Sequence, residues 1–167
     1  MHTRIIVAVL LLIATLAPMP AQAGRYARTI GCWKVGYILE IPAGWVPRYP
    51  ECRRINYVFG PDHADQLIIS VSQHPKAMST RDVQGFVASL VLLFQHPLRV
   101  AHYRSVNING VIYQSAVFDA TLKDLGTYLV AITATWKLKR LYEFSAIIAV
   151  QHDPLVAAKA FNTIILL

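Results

Sequence analysis

Asn109-Gly110 stands between two runs of strand-forming residues, Arg99 to Ile108 and Val111 to Ala120. Both residues tolerate positive φ, which the central positions of a type I′ turn require, so the pair commits its flanks to an antiparallel hairpin. Asp124-Leu125-Gly126 marks the next turn before Thr127 to Leu138, and Leu141 to Val150 returns after Lys139-Arg140. Tyr128, Val130, Ile132, Ala134 and Trp136 fall on one face of the third run, as the period of two in a strand dictates. The strands containing Leu129 and Phe144 are therefore expected to be neighbours in one antiparallel sheet.

Three shorter strands precede this meander. Val35 to Ile41 is rich in strand formers and ends at Pro42-Ala43-Gly44; Arg54 to Phe59 is closed by Gly60-Pro61-Asp62; Gln66 to His74 alternates, with Leu67, Ile69 and Val71 on one face. Ser79 with Asp82 three residues on has the capping-box spacing of a helix N-terminus. Val83, Phe86, Val87, Leu90, Val91 and Phe94 then recur at helical spacing until Pro97. Leu92 and Leu93 widen that stripe, so the end of the helix is read as either deeply buried or partner-facing, with core burial the preferred expectation. A closing helix is predicted over Leu155 to Ile165, with Asp153 as its N-cap. The element order β-β-β-α-β-β-β-β-α makes the chain α+β: an antiparallel sheet of six to seven strands flanked by two helices.

The first residues carry Arg4, an apolar run from Ile5 to Leu16, and Ala21-Gln22-Ala23. These are the parts of a secretory signal peptide, with cleavage expected after Ala23. Pro18 and Pro20 break the run before the length of about 20 apolar residues that a membrane span needs. Residues 1–23 are thus expected to be a signal peptide and 24–167 a single domain, periplasmic or secreted, with no transmembrane segment.

In that compartment the two cysteines, Cys32 and Cys52, are expected to form a disulfide. Thr29-Ile30-Gly31-Cys32 faintly resembles a lipobox, but Arg25 and Arg28 lie where its apolar run should abut. The formal charge of +7 is scattered along the chain. Such scatter is read as a solvated surface rather than a nucleic-acid footprint.

Tyr37-Ile38-Leu39-Glu40-Ile41-Pro42-Ala43-Gly44-Trp45, the helix from Thr80, the Ile108-Asn109-Gly110 hairpin and the closing helix together resemble the PsbP-like fold. That fold is shared by photosystem accessory proteins, a fungal Ran-binding factor and small bacterial envelope or secretion-accessory proteins. The resemblance implies a sheet flanked by helices and a role as adaptor, chaperone or subunit. It supplies no binding residues to carry over, and the cysteine pair is an addition to the pattern.

Asp62-His63-Ala64-Asp65 sets carboxylates beside an imidazole, but in a Gly-Pro turn such aspartates satisfy local backbone donors. His152-Asp153 precedes Pro154 in the same manner. No G-x-S-x-G, G-x-G-x-x-G or P-loop occurs, so no catalytic residue, metal or cofactor is assigned. Two surfaces remain as candidates. Trp45, Arg48, Tyr49, Arg53 and Arg54 join aromatic and arginine side chains, the common anchors of protein interfaces, and Lys137, Lys139 and Arg140 form a basic tip. The expected function is a non-catalytic binding module for another envelope or secreted protein, as accessory subunit, adaptor or inhibitor. The alternative is a small-ligand or envelope-polymer binder with a cleft between sheet and helices, and the third reading is a hydrolase whose site is assembled in space.

Overall fold

In the computed structural model, which describes residues 28–49, 51–94, 101–122 and 126–167, Asn109 and Gly110 have φ of 49° and 81°, the conformation a type I′ turn needs. The turn joins β6 (His102–Ile108) to β7 (Val111–Leu122). β8 (Gly126–Lys137) and β9 (Arg140–Ala149) continue the meander, and Leu129 and Phe144 do lie in adjacent antiparallel strands. Part of the turn expected at Asp124-Leu125-Gly126, and the signal peptide expected over residues 1–23, lie outside the described residues.

β4 (Ile55–Phe59) and β5 (Gln66–Gln73) form the N-terminal hairpin, extended by the two-residue β3 (Val46–Pro47). β5 pairs with β9, which completes a seven-stranded antiparallel sheet in the order β3-β4-β5-β9-β8-β7-β6. A smaller sheet holds β1 (Arg28–Cys32), β2 (Tyr37–Ile41) and β10 (Ile165–Leu166), in the order β1-β2-β10. The α+β architecture follows the expected order, with β1, β3 and β10 added to it.

One face of the large sheet is covered by α1 (Thr80–Leu93). Its start is fixed locally: Ser79 Oγ accepts from the Asp82 N–H at 3.2 Å while Asp82 Oδ2 accepts from the Ser79 N–H at 2.8 Å. Val83, Val87 and Val91 recur every four residues and bury against Ala116, Phe118, Val130 and Ile132. Burying such side chains contributes about 1.5–3 kcal/mol each. Leu92 and Leu93, expected in the core, are instead 75% and 73% exposed. Each helical residue turns the chain by about 100°, so with Val91 facing the sheet its two successors rotate away from it.

The opposite face is covered by two separate pieces, the small sheet and α2 (Leu155–Phe161). Tyr37 of the small sheet meets Phe144 of the large one edge to face, at 6.0 Å between ring centroids. The closing helix is shorter than expected, because Thr163 ends it: Thr163 Oγ1 donates to the Ala160 carbonyl at 2.7 Å and accepts from the Glu40 N–H at 2.8 Å. Ile165 and Leu166 then pair with Ile38 and Tyr37 as β10. Asn109 of the hairpin turn donates through Nδ2 to the carbonyls of Asn162 and Ile164, at 3.1 and 2.9 Å. Among the described residues no helix is long and apolar enough to cross a membrane.

Candidate functional site

Cys32 closes β1 in the core, at 1% exposure, and is bonded to Cys52 in the exposed loop between β3 and β4, with 4.9 Å between their Cα atoms. The residues that follow the two cysteines are thereby held together at the surface. Trp33 follows Cys32 in a turn where the N–H groups of Val35 and Gly36 both donate to the Cys32 carbonyl, at 3.0 and 2.6 Å. Gly36 has φ of 91°, and a Cβ there would stand 2.8 Å from both Arg140 Nη1 and the Tyr142 hydroxyl. Only glycine fits such a close approach in that conformation. The turn leaves Trp33 75% exposed.

Arg53 and Arg54 follow Cys52 and are both exposed. The Arg53 guanidinium lies 4.0 Å from the centre of the Tyr49 ring, and that of Arg48 5.5 Å from it. Tyr49 thus has two cations over its ring, each contact being worth about 0.5–1 kcal/mol at an exposed site. Glu51 pairs with Arg53, and Asn56 Nδ2 donates to the Tyr49 carbonyl at 3.1 Å, so the loop is tied down at both ends.

Trp45 is not part of this surface. Only 8% exposed, it packs beside Gly60 in the core, because the Pro42–Trp45 turn, in which the Trp45 N–H donates to the Pro42 carbonyl at 3.1 Å, directs the ring inward. The exposed tryptophan next to the disulfide is Trp33 instead. Both tryptophans stand at turns, so the sequence carries no signal that tells the outward ring from the inward one.

The basic tip divides. Leu138 and Lys139 occupy the β8–β9 turn with φ of 51° and 61°, and Lys139 stays exposed. Arg140 is committed to structure, since its Nη1 donates to the Val35 carbonyl at 2.6 Å. Lys137 is half-buried.

Asp62, Asp65 and His152 form a cluster that neither sequence neighbourhood announces. His152 Nδ1 lies 2.9 Å from Asp65 Oδ2 and its Nε2 3.3 Å from Asp62 Oδ2. The remaining oxygen of Asp65 accepts from the Ala149 N–H at 2.8 Å, and that of Asp62 from the Ala64 N–H at 3.1 Å. Each ring nitrogen thus faces one carboxylate oxygen. The bond to Asp65, aided by the charges of both carboxylates, raises the pKa of His152 above its usual 6.5. This is an ion-pair latch between the β4–β5 loop and the segment leading into α2. Asp153 is not the N-cap expected of it: that position is taken by Pro154, with no side-chain cap, and Asp153 Oδ1 accepts from the Leu155 N–H at 2.9 Å in a local turn at the start of the helix.

Between α2 and strands β6 to β9 runs an apolar groove, lined by residues that include Val106, Val117, Ala131, Ala157 and Phe161.

No family model matches the chain, and no curated protein matches it. Among solved structures it is similar to cyanobacterial PsbP (CyanoP) from Synechocystis sp. PCC 6803, at 14% identity and a TM-score of 0.62, over 91% of this chain and 99% of that one. It is also similar to a protein of Bacteroides thetaiotaomicron VPI-5482, at 13% identity and a TM-score of 0.51, over 78% of this chain and 44% of that one. A variant of the protein Mog1 is similar at 8% identity and a TM-score of 0.55, over 83% of this chain and 95% of that one. Identities this low establish likeness of fold, and the chain has the PsbP-like fold.

Proposed function

We propose that this chain, a PsbP-like fold carrying a disulfide, is a non-catalytic accessory protein of the periplasm or extracellular space that binds another protein through the surface around Cys32–Cys52. The observation that carries the reading is that the disulfide ties the turn holding exposed Trp33 to the loop holding the Arg48-Tyr49-Arg53 cluster. Tryptophan, tyrosine and arginine dominate interface hot spots, and a stapled loop loses less entropy on binding than a free one. The signal-peptide features of residues 1–23 support the compartment, and the resemblance of the sequence to adaptors and accessory subunits supports the role. With Arg48, Arg53, Arg54 and Lys34 around the aromatics, the complementary partner surface is acidic.

A photo-crosslinking residue in place of exposed Lys34, in cells carrying the full chain, should trap one protein reproducibly. Combining it with Arg48→Ala, Tyr49→Ala and Arg53→Ala should lower that yield about 30-fold or more, with the circular-dichroism melting curve retained. An undiminished yield in the triple variant, or the same adduct from a crosslinker placed at exposed Ile112, would sink the proposal.

A further inference from the structure

The groove under α2 has a physical cause. Ala131 and Ala146 face each other across β8 and β9, and Ala157 and Ala158 come down from the helix, so four small side chains leave space where larger ones would close the layer. The accessible volume of the groove is about 60 Å³. At about 10–15 Å³ for each water such a space could hold, that is room for a short aliphatic segment, with the open side of the groove accepting more of the chain. Its polar floor is already satisfied, since Thr133 Oγ1 and Ser115 Oγ are hydrogen-bonded at 3.1 Å.

Arg104 stands directly across from Ser115 in the β6–β7 pairing. Two and four residues on, Val106 and Ile108 line the groove, so the alternation of β6 puts Arg104 on the same face of the sheet. Its Nη2 is buried and has no hydrogen-bond partner among the described residues. Asp119, also on that face, makes no ion pair with it. Guanidinium remains charged in proteins, and although Arg104 is only partly buried, a buried nitrogen of it without an acceptor leaves a desolvation cost unrecovered. Desolvation accordingly lowers the pKa of Arg104. Tyr113, paired with Val106, presents the second such atom: its buried hydroxyl also lacks a partner.

We propose that the groove binds an aliphatic carboxylic acid, with the chain lying over Ala131 and Ala146 under α2 and the carboxylate paired with the Arg104 guanidinium. The planar fork of arginine matches a carboxylate with two parallel hydrogen bonds, which satisfies the orphaned nitrogen. The alanine-lined wall favours an unbranched chain. This site uses none of the residues of the surface around Cys32–Cys52, so either reading stands or falls without the other.

Titration of the isotope-labelled full protein with sodium octanoate, and separately with 1-octanol, tests it by the amide shifts it produces. Octanoate should move the amides of Val117, Ala131 and Phe161, and should bind more tightly than octanol. Arg104→Gln should weaken octanoate about tenfold and leave octanol nearly unchanged, so that the preference disappears. Ala158→Phe, on the half-exposed side of α2, should abolish both. Because the octanoate-to-octanol ratio is read within one variant, partial loss of folded protein cannot imitate the effect. Equal affinity of the wild-type protein for the two probes, an unaltered ratio in Arg104→Gln, or shifts confined to residues outside the groove would overturn the proposal.

Discussion

The two faces of the large sheet are built by opposite means. On the α1 face a single helix supplies the cover, and its start and its buried stripe are set within a span of 14 residues. On the other face the cover is a small sheet and a short helix drawn from both ends of the described chain. What holds those pieces is long-range: the Glu40–Thr163 bond spans 123 residues, the Val35–Arg140 bond 105 and the Asp65–His152 bond 87. The lesson is that a locally coded layer closes tightly, whereas a layer assembled from distant pieces leaves seams. The groove is one such seam, and the stapled loop at the edge of the small sheet is another place where the chain needs an extra tie.

The largest effect expected from breaking this contrast is at the disulfide. Cys32 and Cys52 are 20 residues apart, and opening a loop of that size costs about 3 kcal/mol in the chain-entropy model. Cys32→Ser with Cys52→Ser should lower the unfolding free energy by that amount, read from the fall in the denaturant midpoint at an unchanged slope. Hydrogen exchange should accelerate first in β1, β2 and the loop around Arg53, with α1 protected until global unfolding. Simultaneous loss of protection in α1 would mean that the two faces are not separately stabilised.

A smaller, paired comparison sharpens the point. Ser79→Ala removes the capping box and should cost about 1 kcal/mol, with faster exchange confined to the first turn of α1. Asn109→Ala loses two bonds to the Asn162 and Ile164 carbonyls and places alanine at a φ of 49°, which costs about 1–2 kcal/mol for the backbone alone. Although both are single changes at turns, the second should disturb two regions more than 50 residues apart. Amide shifts limited to residues near Asn109 would show that the hairpin turn does not hold the end of α2.

The same contrast decides what could be read from the sequence. The capping box, the Asn-Gly turn and the alternation of β5 and β8 were legible because each is an interaction among near neighbours. β1 was not, since Arg28-Thr29-Ile30-Gly31-Cys32 has no alternation and becomes a strand only by pairing with Tyr37 to Ile41. β10 was read as helix because Ile164 and Ile165 continue the apolar spacing, and Thr163 is stopped there by Glu40 from the other end of the chain. At the candidate site, Arg48, Tyr49 and Arg53 were legible as a sequence cluster. The exchange of roles between Trp33 and Trp45 was not, because it depends on which way two turns direct their rings. His152 was likewise seen beside Asp153, while its bonding partners lie in the turn at Asp62 and Asp65.

The smallest effect concerns that latch, and its sign is fixed by the direction of the shift. The bond to Asp65 and the charges of Asp65 and Asp62 raise the folded pKa of His152 above 6.5, so the folded state binds the proton more tightly than the unfolded state does. The stabilisation is complete below the unfolded value and disappears as the pH rises through the folded one. His63 and Asp153 are the other titratable neighbours in the two segments. Near pH 6 the wild-type protein should therefore melt above His152→Gln, and the gap between the two should narrow steadily toward pH 9. Asp65→Asn should shrink the pH dependence of that gap, since it takes away the bond and one of the two charges that favour the imidazolium. A constant gap across the range would mean that His152 contributes by packing alone, and that the seam beside α2 is held by the bonds of Asn109 and Thr163.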